Sequence, residues 1–323
     1  MRSVFAPAWT AARTVLAWGL IGVLAGCATP NRYDSLRAVP LDQVETAIAT
    51  RAADHPPRLG IAFGGGGVRG FMHLGVLRAL DEAGIRAEVV TGSSVGAIAA
   101  ALYASGMDYA EIERRVLAVS ELDLIDIVIS RQGGLNGRAL AQWIRDETGY
   151  SQIRDLPVPL GVAVTDLGKG QALLVVGGDL GEAVQASASV PGVVVPVQSQ
   201  DTTYVDGGVL TIVPVRFARA LGAELVVGID IYCGNDVALK QNALDTVLKT
   251  FRLQGCRLSQ GESAEADFLI RPGFEPVSDT RFAQSDEAIM AGYRAAQAML
   301  PELRARLAKR RSDGWVGGSP GKP

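Results

Sequence analysis

The sequence predicts an α/β fold in three layers, a mostly parallel central sheet covered by helices on both faces. Three observations predict it. Residues 58–96 contain one pattern twice: a short apolar run, a glycine-rich turn, then a helical periodicity, an arrangement that presents backbone N–H groups at helix starts. Beyond them, short runs rich in β-formers go on alternating with helical patterns, as strands buried under helices do. Hydrophobic residues make up 48% of the 323 and mean hydropathy is +0.20, so a large core can form. The formal net charge is −3 and no basic patch of the size that nucleic-acid binding needs is present, so nothing in the sequence points to a nucleic-acid partner.

The elements follow in order. Arg2 and Arg13 flank the start of Val15–Leu24, an apolar run too short to span a bilayer and suited to the h-region of a signal peptide. It closes on Leu24-Ala25-Gly26-Cys27, which resembles the lipobox of bacterial lipoproteins. That resemblance implies a signal peptide over residues 1–26 and a diacylated Cys27 as the mature N-terminus. Ala28 in place of Asp implies the periplasmic face of the outer membrane, given a Gram-negative source. The alternative is an ordinary secretory signal with an incidental cysteine. Residues 27–57 read as a lipidated spacer, with an amphipathic helix over Leu41–Ala53 stopped by His55-Pro56-Pro57.

The main domain is expected over residues 58–308. Leu59–Phe63 is a strand entering Gly64–Gly67, and Val68–Ala83 is the helix that follows. Glu88–Thr91 is the second strand, Gly92–Gly96 its turn and Val95–Tyr103 its helix. Ser105–Asp108 combines a helix stop with an N-cap for Tyr109–Ser120. Leu122–Ile129 is apolar and reads either as a flap over an apolar site or as a segment packed in the core. Arg138–Glu147 is a helix, Leu160–Thr165 with Ala172–Val176 a hairpin, and Glu182–Ser189 a helix ending at Pro191. Thr203–Val205 is a short strand leading into Asp206-Gly207-Gly208. Helix Val215–Leu221, buried strand Glu224–Ile231, helix Leu239–Leu253, strand Phe268–Ile270 and helix Asp286–Leu307 complete the domain. Residues 309–323 are basic, then rich in Gly, Ser and Pro, the composition of a disordered tail. Cys233 and Cys256 either form a disulfide, which export permits, or serve as two buried thiols; the sequence leaves the two readings level.

The first glycine turn, Gly65-Gly66-Gly67-Val68-Arg69-Gly70, satisfies the dinucleotide fingerprint G-x-G-x-x-G. The acidic residue that should close the second strand is missing, and a second glycine turn stands in its place, which argues against a Rossmann nucleotide site. That second turn, Gly92-Ser93-Ser94-Val95-Gly96, matches Gly-x-Ser-x-Gly between a strand and a helix, where a serine hydroxyl projects from a sharp corner. Ser94 is then either a helix N-cap or a nucleophile. A nucleophile needs a base, because a free serine hydroxyl is inert at neutral pH. Both histidines, His55 and His73, precede Ser94, so the Ser, acid, His order of α/β-hydrolases is excluded. His55 lies in the spacer, and His73 reads as a partly buried helical residue. A carboxylate is left: Asp206, at a strand end before two glycines, or Asp166, which reads as a turn or cap residue.

Taken together, Gly65–Gly70, Gly92–Gly96, the block Ala186-Ser187-Ala188-Ser189-Val190-Pro191 and Asp206-Gly207-Gly208 resemble the patatin-like phospholipases, which carry these motifs in this order. The likeness is strong from about Arg58 to Ile231 and weaker to about Leu300. It implies a three-layer α/β/α patatin-like fold and a Ser-Asp dyad, with Ser94 as nucleophile and Asp206 as base. It implies an oxyanion hole formed by the N–H groups of Gly66, Gly67 and Val68, with Arg69 supporting the loop. Donors of this kind are worth roughly 3–4 kcal/mol each to an acyl-transfer transition state. The implied activity is hydrolysis of fatty-acyl esters of phospholipids or lysophospholipids through an acyl-serine, on a membrane that Cys27 anchors. No cofactor is implied, and no cluster of His, Cys or Asp has metal-ligand spacing. An acyltransferase using the same dyad and a non-catalytic lipid-binding lipoprotein are the alternatives. Ser93 stands where the family usually has Thr, Thr211 where Asn is common, and Val194-Val195 where Phe-Pro is usual. These departures bear on pocket shape and leave every reacting group in place.

Overall fold

The computed structural model describes residues 31–44, 58–120, 124, 126–128, 130, 132–235, 243–276 and 284–313. Cys27 and the signal peptide, most of the helix expected over Leu41–Ala53, His55 and the end of the basic tail lie outside them.

Among the described residues, ten strands form one sheet. They are β1 (Asn31–Arg32), β2 (Arg37–Pro40), β3 (Leu59–Phe63), β4 (Val89–Ser93), β5 (Leu160–Asp166), β6 (Gln171–Gly177), β7 (Val197–Ser199), β8 (Thr202–Asp206), β9 (Leu225–Ile229) and β10 (Phe268–Ile270). The order is β1-β7-β8-β5-β4-β3-β9-β10, with β6 and then β2 branching from β5. The central run β5-β4-β3-β9-β10 is wholly parallel, and β6 and β8 pair with β5 antiparallel.

The helices are α1 (Phe71–Glu82), α2 (Val95–Ala104), α3 (Tyr109–Ala118), α4 (Arg138–Thr148), α5 (Leu180–Ser187), α6 (Val215–Ala220), α7 (Ala243–Ser263) and α8 (Ser285–Asp313). The alternation of side chains along β3 splits the core in two. Leu59, Ile61 and Phe63 join the larger core with α1, α2, α5 and α8, while Ala62 joins Val215, Phe217 and Ala218 of α6 on the opposite face. Helices therefore cover both faces, giving the three layers that the alternation predicted. Asp108 caps α3, its side chain accepting from Glu111 N at 2.8 Å.

Three readings change. The stretch taken as a spacer is partly sheet: β1 runs parallel to β7 and β2 antiparallel to β6. Two such short strands carry little pattern of their own, and the partner strands supply their order. Of the helix expected from Leu41, the described residues hold only a 3-10 turn, Leu41–Gln43, and Val44 is extended. At the other end α8 runs on to Asp313, into the stretch assigned to a disordered tail.

Cys233 and Cys256 form a disulfide, with a Cα–Cα distance of 5.6 Å. It fastens α7 to the loop leaving β9. No helix among the described residues is long and apolar enough to cross a membrane.

Candidate active site

Strand β5 brings the two key motifs together without contributing a reacting group. Its edge opposite β6 is shared by two strands. Parallel β4 pairs up to Ser93 opposite Ala163, and antiparallel β8 pairs from Asp206 opposite Val164. The ends of β4 and β8 thus meet head on, at consecutive positions of one strand. Ser94 follows Ser93 directly, so the serine elbow and the carboxylate face each other across that junction.

The elbow is tight. Ser94 has φ 55° and ψ −127°, a backbone state that a non-glycine residue adopts only where its surroundings enforce it. A Cβ on Gly96 would stand 2.2 Å from the carbonyl oxygen of Phe63, and one on Gly92 2.5 Å from Ala97 Cα. Both glycines are therefore required by contact with neighbouring backbone. Ser94 occupies the N-cap position of α2 but makes no side-chain cap hydrogen bond, so capping does not explain its hydroxyl. Its N–H donates to Ser187 Oγ at 2.9 Å, and Ser187 Oγ donates to the carbonyl of Ala163 at 2.6 Å.

Asp206 is 6% exposed. Its N–H donates to the carbonyl of Ser189 at 2.9 Å, and its Oδ1 accepts from Gly208 N at 2.7 Å. Burial pushes its carboxyl up to about 6, against the opposing influence of the Ser94 hydroxyl and the Gly208 N–H. The Ser94 hydroxyl is thus a neighbour of the carboxylate, yet Oδ2 has no close hydrogen-bond partner among the described residues. The pair is adjacent and slack, as catalytic pairs commonly are before substrate tightens them. Asp166, the other carboxylate considered, is a turn residue: its Oδ1 accepts from Gly168 N and Lys169 N at 3.0 Å each.

The glycine loop lies beside the elbow, where a Cβ on Gly65 would be 3.2 Å from Ser94 Cβ. Gly64 N and Gly65 N anchor it, donating to Ile229 O and Ile212 O at 2.9 Å. The N–H groups of Gly66, Gly67 and Val68 find no acceptor among the described residues. They sit at the start of a 3-10 turn, Gly67–Gly70, that runs into α1, where an anion is favoured. Arg69 binds the loop through its Nη1, 3.3 Å from Gly66 O, and pairs with Glu275.

The sequence missed three supports of this site. His73 is fully buried, and its Nε2–H donates to Gly64 O at 2.8 Å, so it holds the glycine loop. Burial lowers its pKa to about 4, which keeps the ring neutral at ordinary pH. Ser187 and Ser189 belong to the block quoted above, but the Ser94 and Ala163 groups that Ser187 joins, and the Asp206 N–H that Ser189 O accepts, lie outside that block, which no local pattern reveals. The third support is Asp126, in the segment read as flap or core. Its carboxylate accepts from Gly137 N and Arg138 N at 2.6 and 2.7 Å, tying that segment to the start of α4.

An apolar cavity of about 70 Å³ opens beside the glycine loop. Gly67 and Val68 of the loop and Val95, next in the chain to Ser94, line it together with Leu102, Ile112, Val116, Leu124 and Trp143. Val194 and Val195 lie outside it, against the Gly133–Gly137 segment. Among the described residues no group of three or more His, Cys, Asp or Glu side chains is placed to hold a metal ion.

Comparison with known proteins gives one family. Residues 61–219 match a family model described as patatin-like phospholipase. An uncharacterised NTE family protein of Mycobacterium tuberculosis is 32% identical over 177 residues, covering 54% of this chain and 49% of the relative. Another from the same organism is 29% identical over 283 residues, covering 79% of this chain and 48% of the relative. A protein of Aspergillus oryzae named lysophospholipase nte1 is 24% identical over 279 residues, 76% of this chain and 18% of that protein. This chain therefore spans about half the length of the mycobacterial relatives it matches. Among solved structures, VipD from Legionella pneumophila aligns with a TM-score of 0.48 at 15% identity, over 85% of this chain and 71% of that one.

Proposed function

We propose, since the chain belongs to the patatin-like phospholipase family, that it is a serine lipid acyl hydrolase cleaving fatty-acyl esters of phospholipids or lysophospholipids. The observation that carries the reading is the meeting of β4 and β8 on one edge of β5, which sets the Ser94 hydroxyl beside the Asp206 carboxylate. In this reading Ser94 Oγ attacks the ester carbonyl and Asp206 takes its proton. The carbonyl oxygen becomes negative within reach of the Gly66, Gly67 and Val68 N–H groups, which are free to donate to it. Collapse of the tetrahedral intermediate releases the lysolipid or glycerol alcohol, which takes the proton from Asp206. Water, deprotonated by the same carboxylate, then frees the fatty acid from the acyl-serine. The apolar cavity beside the glycine loop suits the acyl chain.

A carboxyl raised to about 6 is ionised at neutral pH and still basic enough to accept the proton, so histidine is not needed. Cys27 would carry the lipid anchor on the periplasmic face of the outer membrane; intact-mass analysis of the membrane fraction should find a chain starting at Cys27 with an acyl increment. For the chemistry, the purified protein is incubated with mixed phospholipid and lysophospholipid vesicles and the released products are identified by mass spectrometry. Free fatty acid is expected from the wild type, with a fluorophosphonate label mapping to Ser94. Fatty-acid release that survives Ser94→Ala undiminished overturns the assignment.

A further inference from the structure

Beneath the glycine loop lies a second set of charged groups. Glu275 receives two guanidinium groups at once. Arg69 donates to it through Nε at 3.1 Å and through Nη2, and Arg252 through Nη1 and Nη2 at 2.8 and 3.0 Å. Arg252 is almost wholly buried on α7, its side chain 7% exposed. It also donates from Nε at 2.9 Å, and from Nη2, to the carbonyl of Tyr232. Both arginines also lie over the Tyr232 ring, the Arg69 guanidinium carbon 5.4 Å and that of Arg252 4.8 Å from its centroid.

The loop leaving β9 is the floor on which the glycine loop rests. Ile229 O accepts from Gly64 N, and the Ile231 side chain lies 2.7 Å from where a Gly66 Cβ would stand. Asp230, nearly fully buried, accepts from Tyr232 N and Cys233 N at 3.2 and 2.9 Å. Arg252 grips this floor at Tyr232, and one helical turn further on Cys256 is bonded to Cys233 of the same loop. A continuous path thus runs from α7 through Arg252, Glu275 and Arg69 to the carbonyl of Gly66.

We infer that Arg252 and Glu275 are positioning residues for the oxyanion donors, acting through Arg69 on the peptide of Gly66. The inference rests on the proposed hydrolase reading. Charge-assisted, bidentate bonds resist displacement more than neutral ones, so this chain fixes the angle at which the Gly66–Val68 N–H groups face the reacting carbonyl. Small misplacements of such donors are costly to turnover and nearly neutral to substrate binding.

The test uses the full chain with Arg252→Gln, Arg252→Lys, Glu275→Gln and the Arg252→Gln/Glu275→Gln double variant. Lysine keeps the charge but cannot bridge Glu275 and the Tyr232 carbonyl at once, so it carries the test should the glutamine variant fail to fold. For folded protein, kcat is expected to fall roughly tenfold, less than the ~10²-fold or more lost with an oxyanion donor itself, while KM stays within about twofold. Affinity for an acyl trifluoromethyl ketone, whose adduct places an oxyanion in the hole, falls in parallel with kcat. The double variant is no worse than the poorer single one, because both act through one path. Variants that lose only melting temperature, with kcat and ketone affinity unchanged while Ser94→Ala abolishes turnover, overturn the inference. Turnover that survives Ser94→Ala overturns the hydrolase reading, and the inference with it.

Discussion

To act as the proposed base at neutral pH, Asp206 must carry a negative charge at a position 6% exposed, with one oxygen bonded to Gly208 N and the other without a close partner among the described residues. Its pKa is raised from 3.8 to about 6, so the folded state favours the protonated form. The cost therefore appears as pH rises through this interval and is fully present above it, amounting to roughly 3 kcal/mol. His73 has the opposite sign. Its pKa is lowered from 6.5 to about 4, so its contribution is complete above 6.5 and is lost as acid charges the ring. Over the window from about 4 to 6.5 the two offset each other. Asp206→Asn is expected to abolish turnover, by about 10⁴-fold, and to stabilise the protein at pH 7 by up to ~2–3 kcal/mol, an advantage that vanishes below pH ~4. His73→Gln is expected to change the profile in the other direction, making the protein relatively more resistant to acid. Chemical denaturation across this pH range reads both; an Asp206→Asn protein no more stable at pH 7 than at pH 4, relative to wild type, removes the electrostatic account. For activity, kcat/KM of the wild type should rise with pH along a limb centred near 6. At this scale the sequence disclosed the residues proposed to react, because Gly-x-Ser-x-Gly and Asp-Gly-Gly are local patterns. It hid Ser187 and His73, whose partners are set by the fold.

At the scale of elements, α1 and α8 cross with their backbones in contact. A Cβ on Gly75 would lie 1.8 Å from the carbonyl oxygen of Ile289, and one on Gly292 2.0 Å from that of Met72. The neighbours are backbone, which cannot rotate away as a side chain can. Gly75→Ala is accordingly expected to cost about 3 kcal/mol or more, the upper end of overpacking. Because α1 begins at the glycine loop, part of the loss should appear as lower turnover in the folded fraction. A Gly75→Ala melting temperature within error of wild type contradicts the crossing described. Both helices were legible from periodicity, and so was the hairpin β5–β6. Their crossing was not, since a glycine inside a helix reads locally as a weakness. Strands β1, β2 and β7 were missed for a related reason: with two to four residues each, they borrow their order from the strands beside them.

For the whole molecule, the strap at residues 31–44 decides where the fold starts. Tyr33 donates to Gln185 Oε1 at 2.7 Å and Asn31 Nδ2 to Asn136 O at 2.7 Å, besides the pairing of β1 and β2. Removing these residues leaves edges of β6 and β7 open and buried polar groups unpaired, so a chain starting at residue 45 should lose on the order of 3 kcal/mol or aggregate. A true spacer would leave the unfolding midpoint unchanged. The general architecture was readable because strands and helices alternate along the chain; the strap was not, because nothing local distinguishes it from a linker. The junction on β5 has a further consequence for how such proteins can diversify. The spacing of Ser94 and Asp206 is ruled by consecutive positions of β5, whereas Ile112, Val116, Leu124 and Trp143 of the cavity belong to the long excursion between α2 and β5. A change confined to that excursion alters the cavity wall without touching the register on β5. If the proposed hydrolase reading holds, substitutions at Ile112, Val116, Leu124 or Trp143 should change which acyl chains are taken while the pH limb near 6 stays where it is.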